Sequence, residues 1–245
     1  MKYLLTLIGL ISMPSFAASA GDLQTNDLTG ISFWLVTAAM LAATVFFFAE
    51  RDNVKGKWKT SLSVAGLVTG VAFWHYLYMR GVWIETGESP TVYRYIDWLI
   101  TVPLQIIEFY LILRVCTNVS SGLFWRLLAA SLVMLIAGFM GETGYNEVIC
   151  FVIGMAGWLY IIYEVFTGEA GKLNASSGNA AAQQAFSTIR LIVTVGWAIY
   201  PIGYFLTMGT GADLAGANLI YNLADFINKI AFGLAIWAAA VSDSE

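Results

Sequence analysis

Seven long apolar runs constrain this chain more than any other feature: Ile31 to Ala49, Thr60 to Met79, Val92 to Leu113, Leu123 to Met140, Val148 to Phe166, Ile189 to Met208 and Ala217 to Ala240. A hydrocarbon core about 30 Å thick is crossed by a helix of about 20 predominantly apolar residues, and each run has roughly that length. The expected fold is therefore all-α and integral to the membrane, a seven-transmembrane-helix bundle in contact with the lipid bilayer. Composition agrees, since 59% of the 245 residues are hydrophobic and 11% are charged, well outside the soluble globular range. The twelve Lys and Arg fall in short clusters and the formal charge is -4, so there is no continuous basic face to track a phosphate backbone, and nucleic acid is not an expected partner.

Residues 1–20 carry one basic residue, Lys2, then an apolar run from Tyr3 to Ile11, Pro14, and small residues ending Ala18-Ser19-Ala20. That run is too short to span and has the layout of a cleavable signal peptide, leaving residues 21–245 as one membrane domain with an external N-terminus. Basic residues give an independent test of orientation. Arg51, Lys55, Lys57 and Lys59 follow the first span, Arg114 and Arg126 flank the third connection, and Lys172 and Arg190 the fifth, against Arg80 alone on the other side. The positive-inside rule places those three connections and the C-terminus in the cytoplasm, again with the N-terminus outside. The connection from Thr167 to Ala185, rich in Gly, Ala, Ser, Asn and Gln, is expected to be a flexible loop. Cys116 and Cys150 fall near opposite faces and are expected to be unpaired thiols.

Ionisable residues within spans are informative because each costs at least about 2.5–3.5 kcal/mol at mid-membrane unless something offsets it. Six are kept here: His75, Arg94, Asp97, Glu108, Asp225 and Lys229. Lys229 lies near the centre of the seventh span, too deep to snorkel easily. Desolvation favours the neutral, nucleophilic amine, which suits Schiff-base formation with an aldehyde. A lone intramembrane lysine is more simply an ion-pair partner, but here Asp225, one turn earlier, and Asp97 offer two carboxylates while Arg94 adds a second cation. In the third span Arg94, Asp97, Thr101, Gln105 and Glu108 follow spacings of three, four, four and three, which puts every polar group on one helical stripe. Asp97 and Glu108 are separated along that stripe by roughly 16 Å, the first toward the outside and the second toward the cytoplasm. Glu108, flanked by Ile106, Ile107 and Phe109, reads as a proton donor or as a neutral acid bonded to a neighbouring helix. His75 is expected either beside Asp97 or satisfied by a backbone carbonyl, and the sequence does not choose.

Trp98, Trp158, Trp197, Tyr200 and Tyr204, with Tyr76 on the second span and Thr101 and Gln105 on the third, can wall a long flat apolar ligand, with Met134 and Gly138 making room for a ring. Pro201 stands beside the sixth-span aromatics where a kink is tolerated.

Three segments carry a resemblance. Arg94-Tyr95-Ile96-Asp97-Trp98-Leu99-Ile100-Thr101-Val102-Pro103, Trp197-Ala198-Ile199-Tyr200-Pro201 and Asp225-Phe226-Ile227-Asn228-Lys229 resemble the third-, sixth- and seventh-helix signatures of microbial rhodopsins. Among these, His75, Glu108 and the signal peptide look like the marine bacterial proton pumps. The resemblance implies all-trans-retinal on Lys229 in a covalent Schiff base, Asp97 as primary counterion and acceptor of protons, Asp225 as second counterion, Glu108 as donor, and Arg94 as organiser of the external half. It further implies that His75 pairs with Asp97, that Gln105 tunes absorption to the blue, and that the protein is a multi-pass resident of the bacterial inner membrane. Ring-shaped homo-oligomers, pentamers or hexamers, with Trp34 at the protomer boundary are implied too. Light-driven outward proton pumping is thus the leading expectation and a slow light sensor the alternative. A chloride pump is disfavoured by Asp97, and a retinal-free receptor or transporter would leave Lys229 and Asp225 as a plain salt bridge. No metal-ligand cluster, nucleophile elbow or phosphate loop suggests an enzyme. Glu142 and Glu147 lie near the fourth connection, with no release pair assigned.

Overall fold

The computed structural model describes residues 23–207 and 214–244; the expected signal peptide and Met208 lie outside them. Seven helical segments are long and apolar enough to cross a membrane: Leu28–Asn53, Trp58–Thr86, Thr91–Cys116, Ser121–Glu142, Glu147–Ser176, Ala180–Leu206 and Ala215–Ser242. No strand occurs among the described residues. The helices are α1 (Leu28–Glu50), α2 (Trp58–Thr86), α3 (Thr91–Cys116), α4 (Ser121–Glu142), α5 (Glu147–Phe166), α6 (Glu169–Ser176), α7 (Ala180–Leu191), α8 (Ile199–Thr207) and α9 (Leu214–Ser242). A π-helical turn over Ile192–Gly196 joins α7 to α8 within the sixth span.

Neighbours in sequence pack side by side from α1 to α5, and α9 closes the ring by packing on α1, α2, α7 and α8. Leu35, Val45, Leu67, Val133 and Val152 are exposed around the outside, as expected where the solvent is lipid, while the buried polar stripe of α3 faces inward. Local chemistry sets the helix starts. Asp27, Asn146 and Asn179 accept from the backbone N–H of Gly30 at 2.8 Å, Ile149 at 3.0 Å and Ala182 at 2.8 Å, each satisfying a donor that has no partner inside the helix. Gly87, at φ 67°, ends α2 in the left-handed conformation, which costs glycine little.

The connection between the fifth and sixth spans corrects the sequence expectation. In place of a flexible loop from Thr167 to Ala185, the chain forms α6 and the first turns of α7, separated by the Asn179 cap. Its small residues bury: Ala170, Asn174, Ala182 and Ala185 are all inside. The Glu164 carboxylate accepts from Ala170 N–H at 3.2 Å, and Arg126 donates to Glu169 at 2.6 Å, tying α6 to α5 and α4. A composition that reads as a linker forms helix here because its alanines have a face to bury, tertiary packing outweighing the low propensity of its Gly, Ser and Asn. Cys116 at the end of α3 and Cys150 in the first turn of α5 are free thiols.

Candidate functional site

The interior of the bundle is organised by two facing helices. On α9, Asn218, Asn222, Asp225 and Lys229 recur at spacings of four, three and four, and all four are buried. Opposite them runs the α3 stripe. Lys229 Nζ donates to the Asp97 carboxylate and, at 3.1 Å, to Asp225 Oδ2. Asp225 also accepts from Tyr200 Oη at 2.7 Å, Tyr76 Oη at 2.9 Å and Trp98 Nε1 at 3.2 Å. Such a ring of donors offsets the cost of burying a carboxylate. Asp97 is less supported, since its Oδ1 has no hydrogen-bond partner among the described residues. His75 Nδ1 stands 3.8 Å from that oxygen but only 2.9 Å from the Val71 carbonyl. The two alternatives left open for His75 are thus both met in part: proximity to Asp97, and a hydrogen bond to the backbone.

Arg94 departs from a simple balance of two cations and two carboxylates. Its Nη2 donates to Asn218 Oδ1 at 2.9 Å and Asn222 Oδ1 at 3.0 Å, and its guanidinium lies 5.5 Å from the Tyr221 ring centroid. Arg94 forms no direct ion pair with either aspartate among the described residues. Thr101 Oγ1 donates to the backbone carbonyl of Asp97 at 3.0 Å and so braces the helix beneath the carboxylate.

From Lys229 a largely apolar cavity extends toward α4 and α5. Trp98, Gln105, Trp158, Trp197, Tyr200 and Tyr204 contribute to its walls, with Pro201 and Met134. Gly138 also lines it, and the lack of a side chain there lets Tyr95 approach, since a Cβ would lie 2.9 Å from Tyr95 Oη. Thr101 and Tyr76 are not on the cavity wall; Tyr76 acts instead on Asp225. On the far side of the lysine, Glu108 is 1% exposed, and neither carboxyl oxygen has a hydrogen-bond partner among the described residues. The buried Ser61 hydroxyl is its polar neighbour. At the opposite end, Tyr95 Oη donates to Glu142 at 2.9 Å, while Glu147 offers only its backbone carbonyl, to Tyr204 Oη at 3.2 Å.

A family model described as bacteriorhodopsin-like protein matches residues 27–243. The chain belongs to the bacteriorhodopsin-like family. It is 62% identical, over 99% of its length and 98% of the relative's, to a blue-light absorbing proteorhodopsin of Gamma-proteobacterium Hot 75m4. It is 60% identical, over 100% of its length and 99% of the relative's, to a green-light absorbing proteorhodopsin of Gamma-proteobacterium EBAC31A08. Among solved structures, that of a blue light-absorbing proteorhodopsin from Med12 superposes with a TM-score of 0.77 at 64% identity, covering 88% of this chain and 98% of that one.

Within this bacteriorhodopsin-like architecture, the residues that sequence reasoning missed are mostly uncharged. Asn218, Asn222 and Asn228 hold Arg94 and the sixth-span backbone, and Tyr95 and Tyr221 complete the cavity. The signal was present in the four-three-four spacing on the last span, but only for a search that scores amides together with charges. Trp34 is 42% exposed, with the Arg80 guanidinium 3.8 Å from its ring centroid.

Proposed function

We propose that the chain is a light-driven outward proton pump that holds all-trans-retinal on Lys229 as a protonated Schiff base and absorbs in the blue. The observation that carries the reading is that Lys229 lines an aromatic-walled slot while its Nζ is in hydrogen-bond contact with two buried carboxylates. The residues fit the chromophore. Trp98, Trp158 and Trp197 supply flat surface, Met134 and Gly138 line the slot beside them, and most of the exposed lining is apolar. When bound, retinal supplies absorption of visible light and an isomerisation that changes the setting of the Lys229 nitrogen.

This chain's residues then determine where the proton goes. Asp97, with one oxygen on Lys229 and the other unpaired, is the natural acceptor, whereas Asp225 is held as an anion by its four donors. Glu108, buried without strong partners, keeps a proton in reserve on the other side of Lys229 and serves as donor. Acceptor and donor on opposite sides of one nitrogen give a direction. The distribution of Lys and Arg makes that direction outward: the Asp97 side faces out, the N-terminus is external and the C-terminus cytoplasmic. Gln105 supports blue tuning, because its carboxamide lies on the cavity wall and its Nε2 is 3.5 Å from the carbonyl of Asn228, next to Lys229. The setting is the bacterial inner membrane, after removal of residues 1–20, with five or six protomers in a ring and Trp34 at the boundary.

The test is to add all-trans-retinal to membranes holding the wild type, Lys229→Ala or Asp97→Asn. The wild type is expected to form a blue-absorbing pigment, Lys229→Ala none, and Asp97→Asn a pigment displaced to longer wavelength that moves no protons. A wild type that stays colourless would favour the retinal-free receptor or transporter. A coloured wild type that moves no protons would favour the light sensor.

A further inference from the structure

The sixth span is interrupted just before Trp197. The π turn over Ile192–Gly196 is closed by the Trp197 N–H, which donates to the Ile192 carbonyl at 3.0 Å. In an α-helix that N–H would serve Val193, four residues back. Three residues later the Tyr200 N–H donates to the Trp197 carbonyl at 3.1 Å, where the α pattern would send it to Gly196. The next residue, Pro201, has no N–H to offer in its place. The carbonyls of Val193 and Gly196 therefore lose their α-helical donors inside a protein surrounded by lipid, where an unmet backbone group is costly.

Both are met by side chains from other helices. Trp158 Nε1 on α5 donates to the Val193 carbonyl at 3.0 Å, and Asn228 Nδ2 on α9 donates to the Gly196 carbonyl at 3.0 Å. Asn228 is 2% exposed, precedes Lys229 in the chain, and approaches Gly196 so closely that a Cβ there would lie 2.0 Å from its Oδ1. Trp158, Trp197 and Lys229 line the same cavity. A carboxamide at 228, a glycine at 196, an indole at 158 and a proline at 201 therefore act on one backbone defect.

We infer that Asn228 and Trp158 are positioning residues: by capping the Gly196 and Val193 carbonyls they fix the π turn, and through it the place of Trp197 on the wall of the chromophore cavity. Neither is a proton carrier. The inference rests on the reading of the cavity as the retinal site, and it makes the neighbour of the lysine a determinant of the cavity's shape.

The backbone arm of the test needs no chromophore. Labelling glycine carbonyl with carbon-13 and tryptophan nitrogen with nitrogen-15 marks two peptide pairs in the chain, Gly157–Trp158 and Gly196–Trp197. In solid-state NMR of the full-length protein in lipid, Asn228→Leu is expected to move the Gly196 carbonyl upfield, as for a lost hydrogen bond, and to leave the Gly157 pair in place. Should Asn228→Leu fail to accumulate, Asn228→Ser carries the same test with a smaller change in shape. With retinal added, Asn228→Leu is expected to shift the absorption maximum. Gly196→Ala should impair pigment formation, and Gly196→Ala combined with Asn228→Ala should restore it without the wild-type maximum. An unmoved Gly196–Trp197 signal, or a wild-type absorption maximum in Asn228→Leu, overturns the inference. A wild type that forms no pigment overturns the retinal reading alone, and the NMR signal then decides whether Asn228 holds the turn.

Discussion

At the residue scale the account turns on which buried groups are satisfied. Asp225 has four donors within hydrogen-bond reach, whereas among the described residues one Asp97 oxygen and both Glu108 oxygens have no hydrogen-bond partner. Replacing Glu108 with Gln removes a positioned acid, an effect of roughly 10²-fold or more in proton transfer. Glu108→Gln should therefore form a normal pigment whose return to the dark state after a flash is slower by about that factor, and its rate should fall about tenfold per unit rise in pH because the proton then comes from bulk water. Flash photolysis between pH 6 and 9 checks both; a rate like that of the wild type would remove Glu108 from the donor role. The charged members of this site were legible in the sequence because a charge in a span is costly enough to stand out by itself. Tyr76 was named as a cavity wall but holds Asp225 instead, since which neighbour a tyrosine meets depends on helix rotation. The asparagines are hard to read from the sequence because amides in membrane helices cost less than charges and stand out less.

At the scale of elements, all seven spans were legible, since hydrophobic length is a property of contiguous sequence. The α6–α7 segment was not, because its helicity depends on what Ala170, Asn174 and Glu164 meet in the folded bundle. The π turn was equally hidden, as it depends on Trp158 and Asn228 from distant helices. Packing between α4 and α5 relies on small residues: a Cβ at Gly157 would lie 2.8 Å from the carbonyl of Ala130. Gly157→Val is expected to destabilise the protein by about 1–3 kcal/mol, the usual cost of overpacking, without removing any group from the proton path. A fall in the thermal bleaching midpoint with an unchanged flash response would bear this out, and an unchanged midpoint would show that α5 moves away freely. Breaking the Arg126–Glu169 contact from the Glu169 side should matter less, because Arg126 is exposed and Glu169 half-buried at the surface, and such pairs contribute about 0–1 kcal/mol. Glu169→Gln, which leaves Arg126 beside the buried Glu164 at 3.6 Å, is therefore expected to leave the bleaching midpoint nearly unchanged.

At the scale of the whole molecule, direction is the property that no single residue holds. It comes from the order of Asp97, Lys229 and Glu108 across the membrane combined with the distribution of basic residues. Orientation is open to direct measurement in right-side-out spheroplasts, in a background with Cys116 and Cys150 replaced by alanine. An impermeant maleimide should label Glu88→Cys, in the connection between the second and third spans, and not Asp52→Cys, between the first and second. Labelling of Asp52→Cys alone would reverse the bundle and the predicted direction of transport. Outward pumping is read in the external pH of lightly buffered cells that express the chain with all-trans-retinal, followed through light and dark, with and without a protonophore. The expected result is acidification in the light that the protonophore abolishes and that Asp97→Asn lacks. A coloured protein that leaves the external pH unchanged, or raises it, would contradict it.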